Sequence, residues 1–289
     1  MTERCVVVGV DCTPASTALL QWADRQAQLV AARLVAVTAW RIDLPGLDLV
    51  STVVEVEART RQVLTETIRQ ALPPHRASAV TLRVLDTAPS DALVAESTEA
   101  DLLVVGPHST PAIHGLLLGS VTEHVVSQAC CPVAVVHNAE PTASHRMVVG
   151  LDGSDCSRRA LDWAIDQAAL TASTVEAIVA WEWAPQYGVY PFGPDEATVE
   201  KAAQRLLDHE LARLPADSAA TVHGRLRHGH PAKMLLEAAT GSDAVVVGNH
   251  RASAAAGRLL GSVSQKVARH ATVPVIIVHE HDHSTPAGV

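Results

Sequence analysis

Short, unbroken apolar runs alternate along the chain with longer stretches in which apolar residues return every three or four positions. The runs occupy 5–10, 34–40, 79–84, 102–106 and 133–137, and then 147–151, 175–181, 222–226, 244–248 and 275–279. Continuous, valine-rich runs of this kind are expected of parallel strands covered on both faces. The stretches between them read as helices. Over 15–32, for example, Leu20, Ala23, Ala27 and Val30 fall on one stripe. Strands that alternate with helices predict right-handed crossovers and an α/β fold with a parallel sheet.

The same order of elements is written twice. Val7-Val8-Gly9-Val10-Asp11 returns as Val148-Val149-Gly150-Leu151-Asp152. Val104-Val105-Gly106 with Leu117-Leu118-Gly119-Ser120-Val121 returns as Val246-Val247-Gly248 with Leu259-Leu260-Gly261-Ser262-Val263. The displacements, 141 and then 142 positions, far exceed the roughly 20–50 residues of a solenoid repeat. The pattern is that of a duplicated domain. We expect two tandem doubly wound five-stranded parallel-sheet domains, Rossmann-like, over 1–138 and 145–283. A linker over 138–146 contains Pro141, and a frayed tail covers 284–289.

Composition narrows the class. With 289 residues, each half is long enough to bury a core. A net charge of −9 argues against nucleic acid as a partner, since a phosphate-backbone binder needs a basic face. No apolar run approaches the roughly 20 residues of a membrane span, and the first residues lead into a valine strand without a signal-peptide pattern. Five cysteines without C-x-x-C spacing suit a reducing cytoplasm better than a disulfide framework.

In sheets of this kind ligands bind beyond the carboxyl ends of the strands, and the repeated polar and glycine residues gather there. Asp11 and Asp152 follow the first strand of each half, where a carboxylate can accept from a ligand amine or hydroxyl. Thr13 before Pro14 and Ser154 before Asp155 read as helix N-caps. After the fourth strand, Gly106-x2-Ser109-x9-Gly119-Ser120 matches Gly248-x2-Arg251-x9-Gly261-Ser262. Glycines let backbone N–H groups approach an anion, and the helix that follows points its positive end there. Ser120-x-x-Glu123 and Ser262-x-x-Gln265 also have the form of capping boxes, which start a helix without any ligand.

Trp40 and Trp181 end the second strand of each half and either border a ligand ring or pack in the core; Trp22 and Trp163 read as core. Cys12 and Cys156 stand near helix N-termini, where a thiol can become redox-sensitive. The run His279-Glu280-His281-Asp282-His283 has metal-binding residue types but reads as a solvated tail. No phosphate loop ending in G-K-[ST], no H-E-x-x-H and no G-x-S-x-G elbow is present.

These residues resemble the universal stress protein family in its tandem two-domain form. The likeness runs over essentially the whole chain. It rests on V-V-G-V-D, D-L-L-V-V-G, G-L-L-L-G-S-V and C-P-V-A-V-V in the first half, and on their counterparts from Asp243 to Val275 in the second. The resemblance implies the sheet order 3-2-1-4-5, a cytoplasmic location, stress-linked expression and an intramolecular pseudo-dimer of domains through their fifth strands, with further homodimerisation. It also implies binding of an adenine nucleotide (ATP, with or without magnesium) through a G-x2-G-x9-G-S/T loop, although some members bind none. Carried onto this chain, the binding set is Asp152, Gly153, Ser154, Trp181, Gly229, Gly248, Arg251, Gly261, Ser262 and Val263. Its first-half equivalents are Asp11, Trp40, Gly106, Ser109, Gly119, Ser120 and Val121.

The chain departs from the family pattern unevenly. Ser109 and Arg251 replace the second loop glycine, Cys12-Thr13 replaces Gly-Ser, and Thr87 stands where the second half keeps Gly229. The second half therefore preserves more of the nucleotide pattern. Arg251 either blocks phosphate or replaces lost amide contacts with a charge-assisted one. The expectation is a non-catalytic, ATP-binding stress-response protein whose second domain holds the site. The alternatives are a ligand-free interaction module and a slow ATPase.

Overall fold

The computed structural model describes residues 3–41, 50–107, 118–137, 144–183, 195–215, 218–249 and 260–279. Ser109, Arg251, the linker residues 138–143 and the tail from 280 onward lie outside them. The chain divides into two compact units between Glu140 and Pro141.

In unit 1 the elements run β1 (Cys5–Gly9), α1 (Ser16–Leu29), β2 (Arg33–Trp40), α2 (Val50–Ala71), α3 (Pro74–Ala77), β3 (Thr81–Asp86), α4 (Pro89–Glu96), β4 (Leu102–Val105), α5 (Ser120–Gln128) and β5 (Val133–Val135). The strands are parallel in the order β3-β2-β1-β4-β5. Unit 2 repeats this with β6 (Arg146–Leu151), α6 (Asp155–Thr171), β7 (Thr174–Trp181), α7 (Glu196–Ala212), β8 (Val222–His228), α8 (Pro231–Ala239), β9 (Ala244–Asn249), α9 (Ser262–His270) and β10 (Val275–His279). Its order is β8-β7-β6-β9-β10, again parallel.

The apolar runs are the centres of the sheets. Val6, Val7 and Val8 in β1, Val148 and Val149 in β6, and Val245 and Val246 in β9 are all but sealed from solvent. Two matched glycines bring a helix onto each central strand. A methyl at Gly9 would sit 2.9 Å from Leu93 Cδ1, and one at Gly150 would sit 2.8 Å from Leu235 Cδ1. Trp22 is buried as expected, whereas Trp163 is only partly buried.

One strand is displaced from its expected place. The run at 79–84 becomes a strand only at Thr81 and continues to Asp86. The turn of α3 extends through Ser78 N–H to the Pro74 carbonyl and Ala79 N–H to the Arg76 carbonyl, so the chain is not extended before Thr81. Among the described residues, no helix is long and apolar enough to cross a membrane.

Candidate functional site

Each unit has a cavity at the carboxyl ends of its strands, bounded by matched residues. In unit 2 it measures about 570 Å³ and is lined by Gly150–Asp152 of β6 and its turn, Ile178–Ala180 of β7, Gly248 of β9 and Gly261–Ser264 at the start of α9. In unit 1 it measures about 220 Å³, with Asp11, Gly106 and Val121 at the corresponding positions. Drug-sized ligands occupy cavities of about 300–1,000 Å³, a range that contains only the larger of the two.

The turn after the first strand is organised by its aspartate. In unit 2, Asp152 Oδ1 accepts from Ser154 N–H (2.9 Å) and Ser154 Oγ (2.5 Å). Ser154 in turn caps α6, accepting from Ser157 N–H at 3.2 Å. Gly153 between them takes φ +80°, the left-handed conformation that glycine adopts without cost.

In unit 1 the same loop closes differently. Asp11 Oδ1 accepts from Thr13 N–H, Thr13 Oγ1 and Ser16 Oγ at 3.1, 2.8 and 2.7 Å. Thr13 is therefore not the cap expected of it. The helix starts only at Ser16, and its N-cap position, Ala15, makes no side-chain bond. Cys12 is held at φ +58°, where a side chain costs about 1–2 kcal/mol. Both aspartates line their cavities, but each spends one oxygen on its own turn.

At the far wall the matched glycine at the carboxyl end of the fourth strand has opposite surroundings in the two units. A methyl at Gly248 would lie 2.6 Å from the Cys156 carbonyl carbon and 2.7 Å from Ser157 N, whereas Gly106 has nothing within 4 Å. In unit 2 the backbone of α6 is pressed against β9. Cys156 is consequently 1% exposed, closed away from the oxidants a redox sensor would meet.

The helix that follows begins alike in both units. Gly119 and Gly261 are the N-caps of α5 and α9, so Ser120 and Ser262 occupy the first helical position and do not cap. The capping-box expectation is corrected accordingly: Glu123 N–H and Gln265 N–H bond to the Gly119 and Gly261 carbonyls. Thr122 and Ser264 tie the helix to the preceding strand by donating to the Gly106 and Gly248 carbonyls at 2.6 and 2.8 Å. The N–H groups of the first helical turn have no partner within the helix, and in unit 2 Ser262, Val263 and Ser264 line the cavity.

Several expected residues stand back from the cavities. Trp181 is 9% exposed and stacks on His228, with ring centroids 4.4 Å apart; neither it nor Trp40 is among the described lining residues. Packing, the second of the two roles considered, is where the structure places Trp181. Gly229 shapes the backbone, with φ +140° and its N–H donated to the Trp181 carbonyl. Gly153, Ser154, Gly119 and Ser120 likewise set the turns and do not line the cavities.

The unit 2 lining also includes Val199, Ala202, Ala203 and Leu206 of α7, together with Pro231 and Leu235 of α8. The α7 set falls at i, i+3, i+4 and i+7, a helical stripe visible in the sequence but not distinguishable there from an ordinary core face.

Comparison with known proteins accords with this architecture. The universal stress protein family model matches residues 3–137 and again 143–279. A universal stress protein of Mycolicibacterium smegmatis is 31% identical, with 96% of this chain and 97% of that protein covered. One from Mycobacterium tuberculosis is 32% identical, with coverages of 96% and 98%. The crystal structure of a universal stress protein from Archaeoglobus fulgidus superposes with a TM-score of 0.73 at 18% identity, covering 96% of this chain and 99% of that one. With duplicated sheets of the same order, paired cavities and two family matches along its length, this chain belongs to the universal stress protein family as a tandem two-domain member.

Proposed function

We propose that the protein is a non-catalytic stress-response protein that binds one adenine nucleotide, ATP, in the unit 2 cavity. The observation that carries this reading is the asymmetry of the paired cavities. The larger has the volume of a nucleotide site and an unstrained Asp152-Gly153-Ser154 turn; the smaller has a strained turn and less room, although a helix N-terminus borders both. The apolar wall of Ile178–Ala180 and the α7 stripe suits a base. The start of α9 suits phosphate, which favours the positive end of a helix. Asp152 suits a ribose hydroxyl or the exocyclic amine. Magnesium belongs to the reading only as a passenger on the phosphates. Unit 1, by the same criteria, is the part that has lost its ligand.

The test is the melting temperature of the full chain with and without Mg-ATP, since a ligand that binds the native state raises it. Ser262→Glu places a negative charge at the rim while leaving α9 well started, because a carboxylate is favourable at a helix N-terminus. The expected result is a rise in melting temperature that Ser262→Glu removes and Ser120→Glu, its unit 1 equivalent, does not. No rise in the unsubstituted protein at millimolar nucleotide contradicts the reading. Self-association of two chains and a cytoplasmic location belong to the same proposal; sedimentation equilibrium and cell fractionation test them.

A further inference from the structure

Taking the unit 2 cavity as a nucleotide site, we propose that Lys266 and His230 make it selective for ligands that carry several phosphates over the bare nucleoside. The two residues stand beside the lining, on α9 and at the N-cap of α8, the two helices that supply the lining residues Ser262 and Pro231. His230 is the N-cap of α8 and immediately precedes Pro231, a lining residue. Lys266 stands one turn after Ser262 on α9, and residues four apart share a helix face. Lys266 Nζ lies 3.3 Å from His230 Nε2, so the side chains meet across the gap between the two helices.

The chemistry of this contact keeps its charge available. An ammonium has only donors, so the imidazole nitrogen accepts; the lysine is positioned without being neutralised, as a carboxylate partner would neutralise it. Both residues are exposed, so an incoming anion meets no apolar cover. Lys233, in the first turn of α8, is paired with Glu237 at 3.8 Å.

Unit 1 lacks these cations at the equivalent positions and places a carboxylate at one of them. Ala88 stands for His230, Asp91 for Lys233 and His124 for Lys266, and His124 Nε2 lies 3.9 Å from Asp91 Oδ1. A carboxylate there repels phosphate. The rim residues thus differ in charge in the same sense as the cavities differ in size. Attraction to the Lys266 ammonium grows with ligand charge, so it separates ATP from adenosine while contributing nothing to the base.

Calorimetric titration of the full chain with ATP, AMP and adenosine tests this. The unsubstituted protein is expected to bind in the order ATP, AMP, adenosine. Lys266→Gln is expected to weaken ATP binding about tenfold, the loss of one charge-assisted contact, and to change adenosine binding by less than about twofold. Lys266→Arg is expected to retain the preference, and the fall in ATP affinity with added salt is expected to be shallower in Lys266→Gln. Because Lys266 is exposed, the ligand-free melting temperature should be unchanged. An ATP-to-adenosine ratio that Lys266→Gln leaves intact overturns this inference alone. Failure of every ligand to bind the unsubstituted protein overturns it together with the nucleotide reading of the cavity.

Discussion

The two halves of the chain build one fold around two different first turns. After β6, Asp152-Gly153-Ser154 forms an unstrained loop with a true cap, and α6 begins at once, its backbone close against Gly248. After β1, Asp11-Cys12-Thr13 forms the same loop with a side chain at positive φ, and α1 begins only at Ser16, leaving open space at Gly106. A duplicated domain can therefore keep its sheet while its loop residues diverge. The sheet depends on valine runs that tolerate exchange, and the site depends on single glycines and serines that do not.

The largest expected effect concerns the tie between α6 and α7. Glu210 is 0% exposed and receives Arg158 Nε and Arg213. Arg158→Met leaves this buried carboxylate with Arg213 as its remaining guanidinium partner, so the substitution should lower the stability of unit 2, read from urea unfolding. Unit 1 joins α1 to α3 instead through Arg76 and Asp24, at 2.7 Å. Arg76→Met should cost less, because Arg76 gives Asp24 two hydrogen bonds where Arg158 gives Glu210 three, and Gln28 still donates to Asp24.

Next comes the glycine pair. Gly248→Ala forces a methyl into backbone that cannot move aside and should cost about 1–3 kcal/mol, whereas Gly106→Ala should lie within about 0.5 kcal/mol of neutral. Equal effects from the two substitutions would remove the structural distinction between the halves.

The buried carboxylate also sets a pH dependence. Burial raises Glu210, but hydrogen bonds and attraction from Arg158 and Arg213 outweigh it and hold the group below its ordinary value. A carboxyl held lower in the folded than in the unfolded state contributes stability above the unfolded value, and that stability is lost as pH falls through the folded one. Melting temperature should drop on acidification below about pH 5, and Glu210→Gln should flatten that drop.

The smallest effect is at Cys12. Cys12→Gly relieves the left-handed side chain and should stabilise unit 1 by up to about 1 kcal/mol, part of the relief being offset by the greater freedom of glycine in the unfolded chain.

Much of the fold was legible in the sequence, because each strand is a continuous apolar run and each run occurs twice. The strand at Thr81–Asp86 was misplaced because Ala79 and Val80 look like strand residues, yet the hydrogen bonds of α3 hold Ala79 in a turn. Of the site, Asp152, Gly248, Gly261, Ser262 and Val263 were readable from the repeat and do line the cavity. The caps differ from expectation at Ser120 and Ser262, since a serine next to a glycine gives no sign of which residue turns first, and at Thr13, which donates to Asp11 in the turn while the helix starts at Ser16. The α7 wall and the contact between Lys266 and His230 were out of reach, because they depend on which helices lie side by side.

Counting bound nucleotide by equilibrium dialysis tests the central claim most directly. One ATP per chain, lost with Ser262→Glu and retained with Ser120→Glu, is the expected result. Two equivalent sites, binding that responds to Ser120→Glu, or no binding at all would contradict it.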